Sequence, residues 1–368
     1  MVAWRPPARL RTIAPALWSW FCAIGVAAAL GQPPASATLP SAYRPADGPF
    51  AVRQIDSYQL PRKHHEDPLP LLIRYPQARD AHTASQPLPL VIFSHGGGGD
   101  GGAFATLSHH WASYGYIVIH PTHADSIRLR RAHGEDLRAM RRNPRLLLRS
   151  VHLAQRCADI RLILDTLDLV EARINRDARA HTAPGHPPSI RIDHDRIAVA
   201  GHSAGAMTAQ ALAGVRLHVG RRTINLRDDR VRAVILISGQ GTWRHTLRKD
   251  SWRDIHIPML VITGSRDTAP VSGETPDTRQ EPFTYAPPGD KFLLFIDGAT
   301  HFSYAHKMFD PWHRQPPPKN PEYIASVVSF STLAFLDAYL DERPAARDYL
   351  ASRAITHYPG GKLRFDAK

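Results

Sequence analysis

The sequence predicts an α/β fold, with helices on both faces of a mostly parallel sheet. Six short, nearly continuous apolar runs follow one another along the chain, as expected for strands that are buried on both faces. Stretches with helical periodicity separate these runs, and such alternation produces parallel strands joined by right-handed crossovers. Two earlier strand-like runs are joined by a short polar segment, which predicts an N-terminal antiparallel hairpin.

The apolar and periodic runs place each element along the chain. The hairpin strands are predicted at 50–60 and 69–75, and the buried strands at 88–94, 116–120, 196–200, 231–238, 258–263 and 291–296. Helices are predicted at 103–114, 149–169, 204–213 and 324–340. Polar or proline-rich segments interrupt the alternation at 121–149, 171–188 and 302–321. We expect these three segments to be surface excursions or a cap.

The composition fits a folded, enzyme-sized domain with a substantial core. Of the 368 residues, 43% are hydrophobic and 21% are charged, which is close to the average for globular proteins. The formal net charge of +13 has two interpretations, an arginine-rich surface that favours solubility or a surface for an anionic partner. No run alternates aromatic residues with lysine or arginine, so we predict no nucleic-acid partner.

The sequence indicates neither a disulfide nor a metal or other cofactor. Of the two cysteines, Cys22 lies in a segment that we expect to be removed, which leaves Cys157 alone. Two pairs of histidines are adjacent in sequence, at 64–65 and 109–110. Adjacent histidines point in different directions and no third ligand has suitable spacing, so we predict no metal site. The glycine run at 96–99 lacks the spacings of nucleotide-binding loops.

Residues 1–37 have the features of a secretory signal peptide. Three arginines precede an apolar run at 13–30, and the Ala-Ser-Ala sequence at 35–37 has the spacing that signal peptidase accepts. The mature chain would begin at Thr38 and be periplasmic or secreted, with no stable membrane insertion. The alternative is a retained anchor, but the apolar run contains proline, serine and glycine.

The pentapeptide Gly201-His202-Ser203-Ala204-Gly205 matches the G-x-S-x-G pattern of a nucleophile elbow. The pattern alone is weak, because composition would produce it by chance in roughly one chain in ten. Its context is more specific, since it follows one predicted strand directly and begins a predicted helix. Such a turn holds the serine in a strained conformation, and its glycines let the strand and helix backbones approach. We therefore predict Ser203 as a catalytic nucleophile.

Four motifs together resemble a known group of enzymes. They are FSHGGGG at 93–99, GHSAGA at 201–206, VITGSRD at 261–267 and GATHF at 298–302. The chain is similar to α/β-hydrolases of the dienelactone-hydrolase-like and platelet-activating-factor acetylhydrolase-like group, and it also resembles bacterial cutinase-type polyester hydrolases. The resemblance covers about 52–340. We predict an α/β-hydrolase domain at 38–341, followed by a basic, unpatterned tail at 342–368.

Two departures from these families narrow what the resemblance implies. True dienelactone hydrolases use a cysteine nucleophile, whereas this chain has Ser203, which favours the esterase and acetylhydrolase side. Cutinase-type enzymes often carry a C-terminal disulfide, which the chain cannot make with Cys157 alone. The resemblance therefore favours small ester substrates over polyesters.

A serine nucleophile needs a histidine base and an acid that orients it, in the chain order Ser, Asp, His that is usual for this fold. His301 follows the last predicted parallel strand, whereas His306 and His313 lie in a proline-rich segment. Asp267 follows the preceding strand, and the strand before that is followed by SGQG, which offers no carboxylate. We predict a Ser203, Asp267, His301 triad.

Two further carboxylates near the last strand are alternatives to Asp267 as the acid. These are Asp290 and Asp297. Asp297 lies four residues before His301 and is expected to cap a loop.

The oxyanion of the tetrahedral intermediate needs two preorganised N–H donors. The residue after the nucleophile, Ala204, supplies the first. Family resemblance points to Gly97 for the second, with Gly98 as the second choice.

The substrate pocket is predicted from loops at the carboxyl ends of the strands, where ligands of open α/β sheets bind. We predict His123 in the loop after the strand at 116–120, together with Gly98 and His202. Trp243 and Phe302 flank the site loops and form either an apolar wall for the acyl group or part of the core.

These residues predict a serine hydrolase that cleaves carboxylic esters of short-chain acyl or acetyl groups, including lipid esters, through an acyl-enzyme intermediate. A lactonase, a thioesterase and a polyester hydrolase would use the same residues, and a serine peptidase is a weaker alternative. An alternative of a different class is an α/β-hydrolase without activity that serves as a binding module. A missing triad member would mark such a module, and none is missing.

Overall fold

The fold is built on one large sheet. The structure, a computed structural model, describes residues 40–62, 67–77, 86–143, 145–181, 189–242, 246–269, 273–305 and 316–368. Within them the strands are β1 (Val52–Leu60), β2 (Leu69–Pro76), β3 (Leu88–Ser94), β4 (Ile117–Pro121), β5 (Ile192–His202), β6 (Arg216–Val219), β7 (Arg222–Asn225), β8 (Ala233–Ile237), β9 (Met259–Arg266), β10 (Lys291–Thr300) and β11 (Leu363–Ala367).

The order of the strands confirms the predicted fold class. In the described part of the chain, nine strands form the sheet in the order β1-β2-β4-β3-β5-β8-β9-β10-β11. The six central strands from β4 to β10 are parallel. Strands β1 and β2 form the predicted antiparallel hairpin, and β2 is also antiparallel to β4. Strands β6 and β7 form a separate small hairpin.

Helices cover both faces of the sheet, as predicted. They are α1 (Ala105–Ser113), α2 (Ile127–Ala132), α3 (Arg138–Arg142), α4 (Arg145–Ser150), α5 (Leu153–Asp165), α6 (Leu167–Ala180), α7 (Ala204–Ala213), α8 (Glu281–Tyr285), α9 (Pro321–Tyr339) and α10 (Pro344–Ser352). Alternate strand residues face opposite sides. In β3, Leu90 and Ile92 pack with α5, α6 and α7, whereas Val91 and Phe93 pack with α1, α9 and α10.

The helix predicted at 149–169 is wrong in its bounds, because the end of α4, all of α5 and the start of α6 occupy this region. The helical conformation is interrupted between α5 and α6 at Thr166, which has φ −133° and ψ 33°. Helix α6 then runs to Ala180, into the segment predicted as a polar excursion. Its buried residues recur at helical spacing, at Leu167, Val170, Ile174 and Ala178, but the intervening charged residues obscured that pattern.

The prediction of a separate, unpatterned tail at 342–368 is also wrong. Helix α10 buries Ala346, Tyr349 and Leu350, and β11 pairs antiparallel with β10 at the edge of the main sheet. The Phe365 side chain is buried in the core. Residues from Leu39 to Lys368 form one compact unit, so the domain extends to the last residue of the sequence.

The predicted signal peptide at 1–37 lies outside the described residues. Among the residues that the structure describes, no helix is both long enough and apolar enough to cross a membrane.

Candidate active site

Three predicted site residues meet at one edge of the sheet. Ser203 follows β5, Asp267 follows β9 and His301 follows β10. Because these strands are parallel, their carboxyl ends lie at the same edge, where ligands of open α/β sheets bind.

The turn that carries Ser203 has the geometry of a nucleophile elbow. Ser203 adopts φ 54° and ψ −116°, a region that is costly for a residue with a side chain. A Cβ on Gly205 would overlap the carbonyl oxygen of Ser94, and a Cβ on Gly201 would overlap the backbone of Gly205. The glycines therefore allow helix α7 to pack directly against β3 and β5, and this packing holds the strained serine in place.

The hydrogen bonds at this edge connect the serine, histidine and aspartate in series. His301 Nε2 lies 3.1 Å from Ser203 Oγ, and His301 Nδ1 lies 3.0 Å from Asp267 Oδ1. The Asp267 side chain is fully buried and that of His301 is nearly so, while Ser203 is half-buried. A base at hydrogen-bond distance from the hydroxyl, itself oriented by a carboxylate, is the arrangement that activates a serine nucleophile.

Polar groups surround the Asp267 carboxylate. Its oxygens accept hydrogen bonds from Ser238, Thr263 and Tyr304, at 2.7, 3.0 and 3.1 Å. Arg279 Nε lies 2.8 Å from Oδ1. Burial alone would raise the pKa of Asp267, but Arg279, followed by His301 and Ser238, holds that pKa well below its usual range. Asp267 is therefore ionised at neutral pH and accepts a hydrogen bond from His301.

Sequence reasoning missed Ser238 and Arg279. Ser238 Oγ donates to Asp267 and also lies 2.7 Å from His301 Nδ1. Ser238 begins the SGQG segment, which offers no carboxylate, but its position at a strand end is a usable signal. Arg279 lies beyond β9 with no recognisable motif around it, so no local pattern indicates its role.

The two alternative carboxylates have partners away from His301. Asp297 is exposed and accepts a hydrogen bond from Ser265 at 2.7 Å. Asp290 accepts one from Tyr339 at 2.7 Å. His306 and His313 lie outside the described residues.

The predicted oxyanion loop lies beside the start of helix α7. The first backbone amides of a helix have no acceptor within the helix, and Ala204 is the first residue of α7. A Cβ built on Gly97 would lie 3.9 Å from the Cβ of Ala204 and 3.3 Å from a methyl group of Val151. Gly97 therefore borders the same space as Ala204, and Val151, which the sequence reasoning did not identify, borders it as well.

Gly98 anchors the loop and does not serve as the second donor. Its amide donates to Asp125 Oδ2 at 3.0 Å, so that donor is already occupied. Arg156 forms a bidentate ion pair with Asp125, from Nε to Oδ1 at 2.9 Å and from Nη2 to Oδ2 at 2.7 Å. Its Nη1 donates to the carbonyl oxygen of His95 at 2.6 Å. Burial would raise the pKa of Asp125, but Arg156 lowers it to about 2. This buried ion pair holds the backbone of the glycine loop in place through Gly98 and His95.

Removing the Asp125 carboxylate is expected to loosen the oxyanion loop. In Asp125→Ala, the Gly98 amide and Arg156 both lose a partner, and we expect kcat to fall about tenfold to a hundredfold, less than the 10²–10³ for a direct oxyanion donor. Steady-state ester hydrolysis measures the change. Asp136→Ala is the control, because Asp136 is exposed and should leave kcat unchanged. A folded Asp125→Ala protein with full kcat would contradict this role.

Two predictions for the substrate pocket are wrong. His123 is buried, with Nε2 2.9 Å from Ser94 Oγ and Nδ1 2.8 Å from Asp159 Oδ2, so it belongs to a polar network below the site. His202 is also buried, and its Nε2–H donates to the carbonyl oxygen of His301 at 2.7 Å. His202 therefore supports the base and does not face substrate.

Phe302 lies at the site, and Trp243 is not described. The Phe302 ring is half-buried and stands edge-on to His301, with ring centroids 4.9 Å apart. Trp243 lies outside the described residues.

Within the part of the chain that the structure describes, no group of three or more histidine, cysteine, aspartate or glutamate side chains is placed to hold a metal ion.

Comparison with known proteins confirms the resemblance. Cutinase est1 from Thermobifida alba is 37% identical over 157 residues, which cover 41% of this chain and 39% of that protein. Cutinase est2 from the same organism is 34% identical over 154 residues, which cover 41% of this chain and 38% of that protein. The chain thus spans about two fifths of the length of these relatives.

A family model matches a larger part of the chain. The model for platelet-activating factor acetylhydrolase, isoform II, matches residues 74–306, which is more than half of the sequence. This range runs from β2 past His301 and so includes every residue of the hydrogen-bonded series. The chain belongs to the platelet-activating factor acetylhydrolase isoform II family.

Proposed function

We propose that this chain is a serine hydrolase that cleaves carboxylic esters through an acyl-enzyme intermediate. The observation that carries the proposal is the hydrogen-bonded series Ser203–His301–Asp267, with separations of 3.1 and 3.0 Å. Membership of an acetylhydrolase family supports the same reaction class.

In the acylation step, Ser203 Oγ attacks the ester carbonyl carbon while His301 Nε2 accepts the hydroxyl proton. The amides of Ala204 and Gly97 donate to the oxyanion that forms. His301 then gives the proton to the departing alcohol, and the ester C–O bond breaks. Asp267 keeps the Nδ1 proton in place and stabilises the imidazolium, without itself taking the proton.

In the deacylation step, water replaces the alcohol. His301 accepts a proton from the water as its oxygen attacks the acyl carbon, and then returns it to Ser203 as the carboxylic acid leaves. Ser203, Gly97 and Phe302 are each half-buried, and this partial exposure allows an ester and then water to reach the serine.

For the substrate, we propose short-chain acyl or acetyl esters, including those of lipids. The family description names an acetylhydrolase, and the Val151 methyl group and the Phe302 ring narrow the space beside Gly97 and His301. Polyester hydrolysis is the second candidate, and the two related cutinases support it.

A panel of p-nitrophenyl esters from acetate to palmitate tests the proposal. The panel is run beside a lactone, a thioester, a peptide and a polyester film. We expect the highest kcat/KM for acetate or butyrate and little peptide cleavage. Peptide cleavage without ester turnover would contradict the assignment. A folded protein that turns over none of these substrates would favour the binding-module alternative.

We further propose that the protein is periplasmic or secreted, because residues 1–37 have the pattern of a cleaved signal. We expect protein purified from the native envelope or medium to begin at or near Thr38. N-terminal peptide sequencing by mass spectrometry measures this. A mature chain that still contains residues 4–30 would instead indicate an anchor.

A further inference from the structure

We propose that Arg279 is a positioning residue of the hydrolase site, which neutralises Asp267 and keeps His301 available as a base under mildly acidic conditions. This inference rests on the proposed serine hydrolase function. In the part of the chain that the structure describes, Arg279 contacts Asp267, His301 and the turn after β8, so it acts through the acid and the base.

The Arg279 guanidinium connects three parts of the site. It is buried, with 1% of the side chain exposed. Its Nε lies 2.8 Å from Asp267 Oδ1 and donates to the carbonyl oxygen of Asp267 at 3.1 Å. Nη1 donates to the carbonyl oxygens of Ser238 and Gly239, at 2.6 and 3.1 Å. Nη2 lies 3.2 Å from His301 Nδ1.

The turn after β8 depends on these bonds. Ser238 has φ 54°, an uncommon conformation for a residue with a side chain. In this conformation its Oγ reaches both Asp267 Oδ1 and His301 Nδ1, each at 2.7 Å. By holding the carbonyl groups of this turn, Arg279 also keeps the Ser238 hydroxyl between the acid and the base.

The charge of Arg279 has a consequence that a purely structural residue would not have. The ion pair with Asp267 is neutral overall, and a proton on His301 adds a positive charge to this buried group. The carboxylate attracts that charge, whereas the guanidinium repels it. Without Arg279, the Asp267–His301 pair would carry a net negative charge and would bind its next proton at a higher pH, whichever member holds it.

Two other titratable groups of the described chain, His202 and Tyr304, lie close to the Asp267–His301 pair, and both are neutral at the working pH. The His202 ring lies 4.8 Å from that of His301, and burial, followed by His301 itself, lowers the pKa of His202 to about 3. Tyr304 donates to Asp267, and burial raises its pKa well above the usual value. Among the residues that the structure describes, Arg279 therefore places a positive charge against both Asp267 and His301.

The test compares two variants by the pH dependence of kcat/KM for p-nitrophenyl acetate. Arg279→Gln keeps hydrogen-bond donors but removes the charge, and Arg279→Lys keeps the charge. The acid limb is the part of each profile where kcat/KM falls as the pH is lowered. In Arg279→Gln we expect the acid limb to move to higher pH by about one unit or more. On the acidic side, kcat/KM then falls tenfold further below its plateau. In Arg279→Lys we expect the limb to stay near that of the wild type.

Scaling each profile to its own plateau removes any difference in the amount of folded protein that is the same at every pH. Arg230→Gln is the matched control, since Arg230 pairs with Asp228 and Asp165 away from the site and should leave the profile unchanged. An unmoved limb in Arg279→Gln, even with a lower plateau, would overturn the inference, and so would equal shifts in both Arg279 variants. Absence of ester turnover in the wild type would instead overturn the proposed function.

Discussion

Ser203→Ala is expected to lower kcat for ester hydrolysis by about 10⁶-fold, the scale seen when a triad serine is removed. The reason is that the acyl-enzyme route needs the hydroxyl, which lies 3.1 Å from His301 Nε2. The residual rate should be the contribution of the oxyanion donors and of binding alone. Initial rates at saturating ester measure the loss.

The loss should come from chemistry and not from unfolding. Ser203 is half-buried, and alanine fits the same turn, so the melting temperature should change little. Ser265→Ala provides a matched control, because Ser265 contacts Asp297 outside the hydrogen-bonded series and should keep full kcat. If Ser203→Ala retained more than a few per cent of kcat, the nucleophile would have to be another residue.

Asp267→Asn is expected to lower kcat by about 10⁴-fold, because an amide no longer fixes the tautomer of His301 or stabilises its charged form. It should also lower stability. The substitution leaves the buried guanidinium of Arg279 without a carboxylate, and breaking a buried ion pair costs about 3–5 kcal/mol. Steady-state kinetics and chemical denaturation measure the two effects separately.

Asp297→Asn is the matched control for the acid. Asp297 is exposed, and its partner is Ser265, so we expect a cost of less than about 1 kcal/mol and near-normal kcat. A severe loss of kcat at Asp297, with near-normal turnover at Asp267, would reverse the assignment of the acid.

The ionised state of Asp267 also predicts how stability depends on pH. Its pKa is lower in the folded protein than in the unfolded chain, where it is about 3.9. Ionisation of Asp267 therefore stabilises the fold at neutral pH. This contribution declines as the pH falls below about 4 towards the folded-state pKa.

Each of the three triad residues could be predicted from the sequence immediately around it. Ser203 lies in a short motif between a strand and a helix, and Asp267 and His301 each follow a run of buried strand residues. Those runs place the three residues at the same sheet edge, because the strands are parallel. Local pattern and strand order therefore suffice to predict the three residues, and the structure brings them within hydrogen-bonding distance.

The residues that support the site could not be predicted in this way. Arg279 contacts Ser238, which is 41 positions away, and Arg156 contacts Asp125, which is 31 positions away. Neither arginine differs locally from the many surface arginines of the chain. Their burial beside carboxylates is visible only in three dimensions.

Two errors have a common physical cause. His123 and His202 lie at strand ends, and position alone suggested that they face substrate. In each case the side chain instead points into the protein and hydrogen-bonds to the strand-end network. Strand position identifies the edge of the sheet where a residue lies, but the local backbone decides which side its side chain faces.

Labelling of the wild-type protein by a fluorophosphonate probe, followed by peptide mass spectrometry, tests the proposed mechanism most directly. The probe reacts with a serine only when a base activates it. We predict one probe per chain, attached to Ser203, with loss of ester turnover in proportion to labelling. An active enzyme that takes up no probe, or that carries it on a different residue, would contradict the assignment of Ser203, His301 and Asp267.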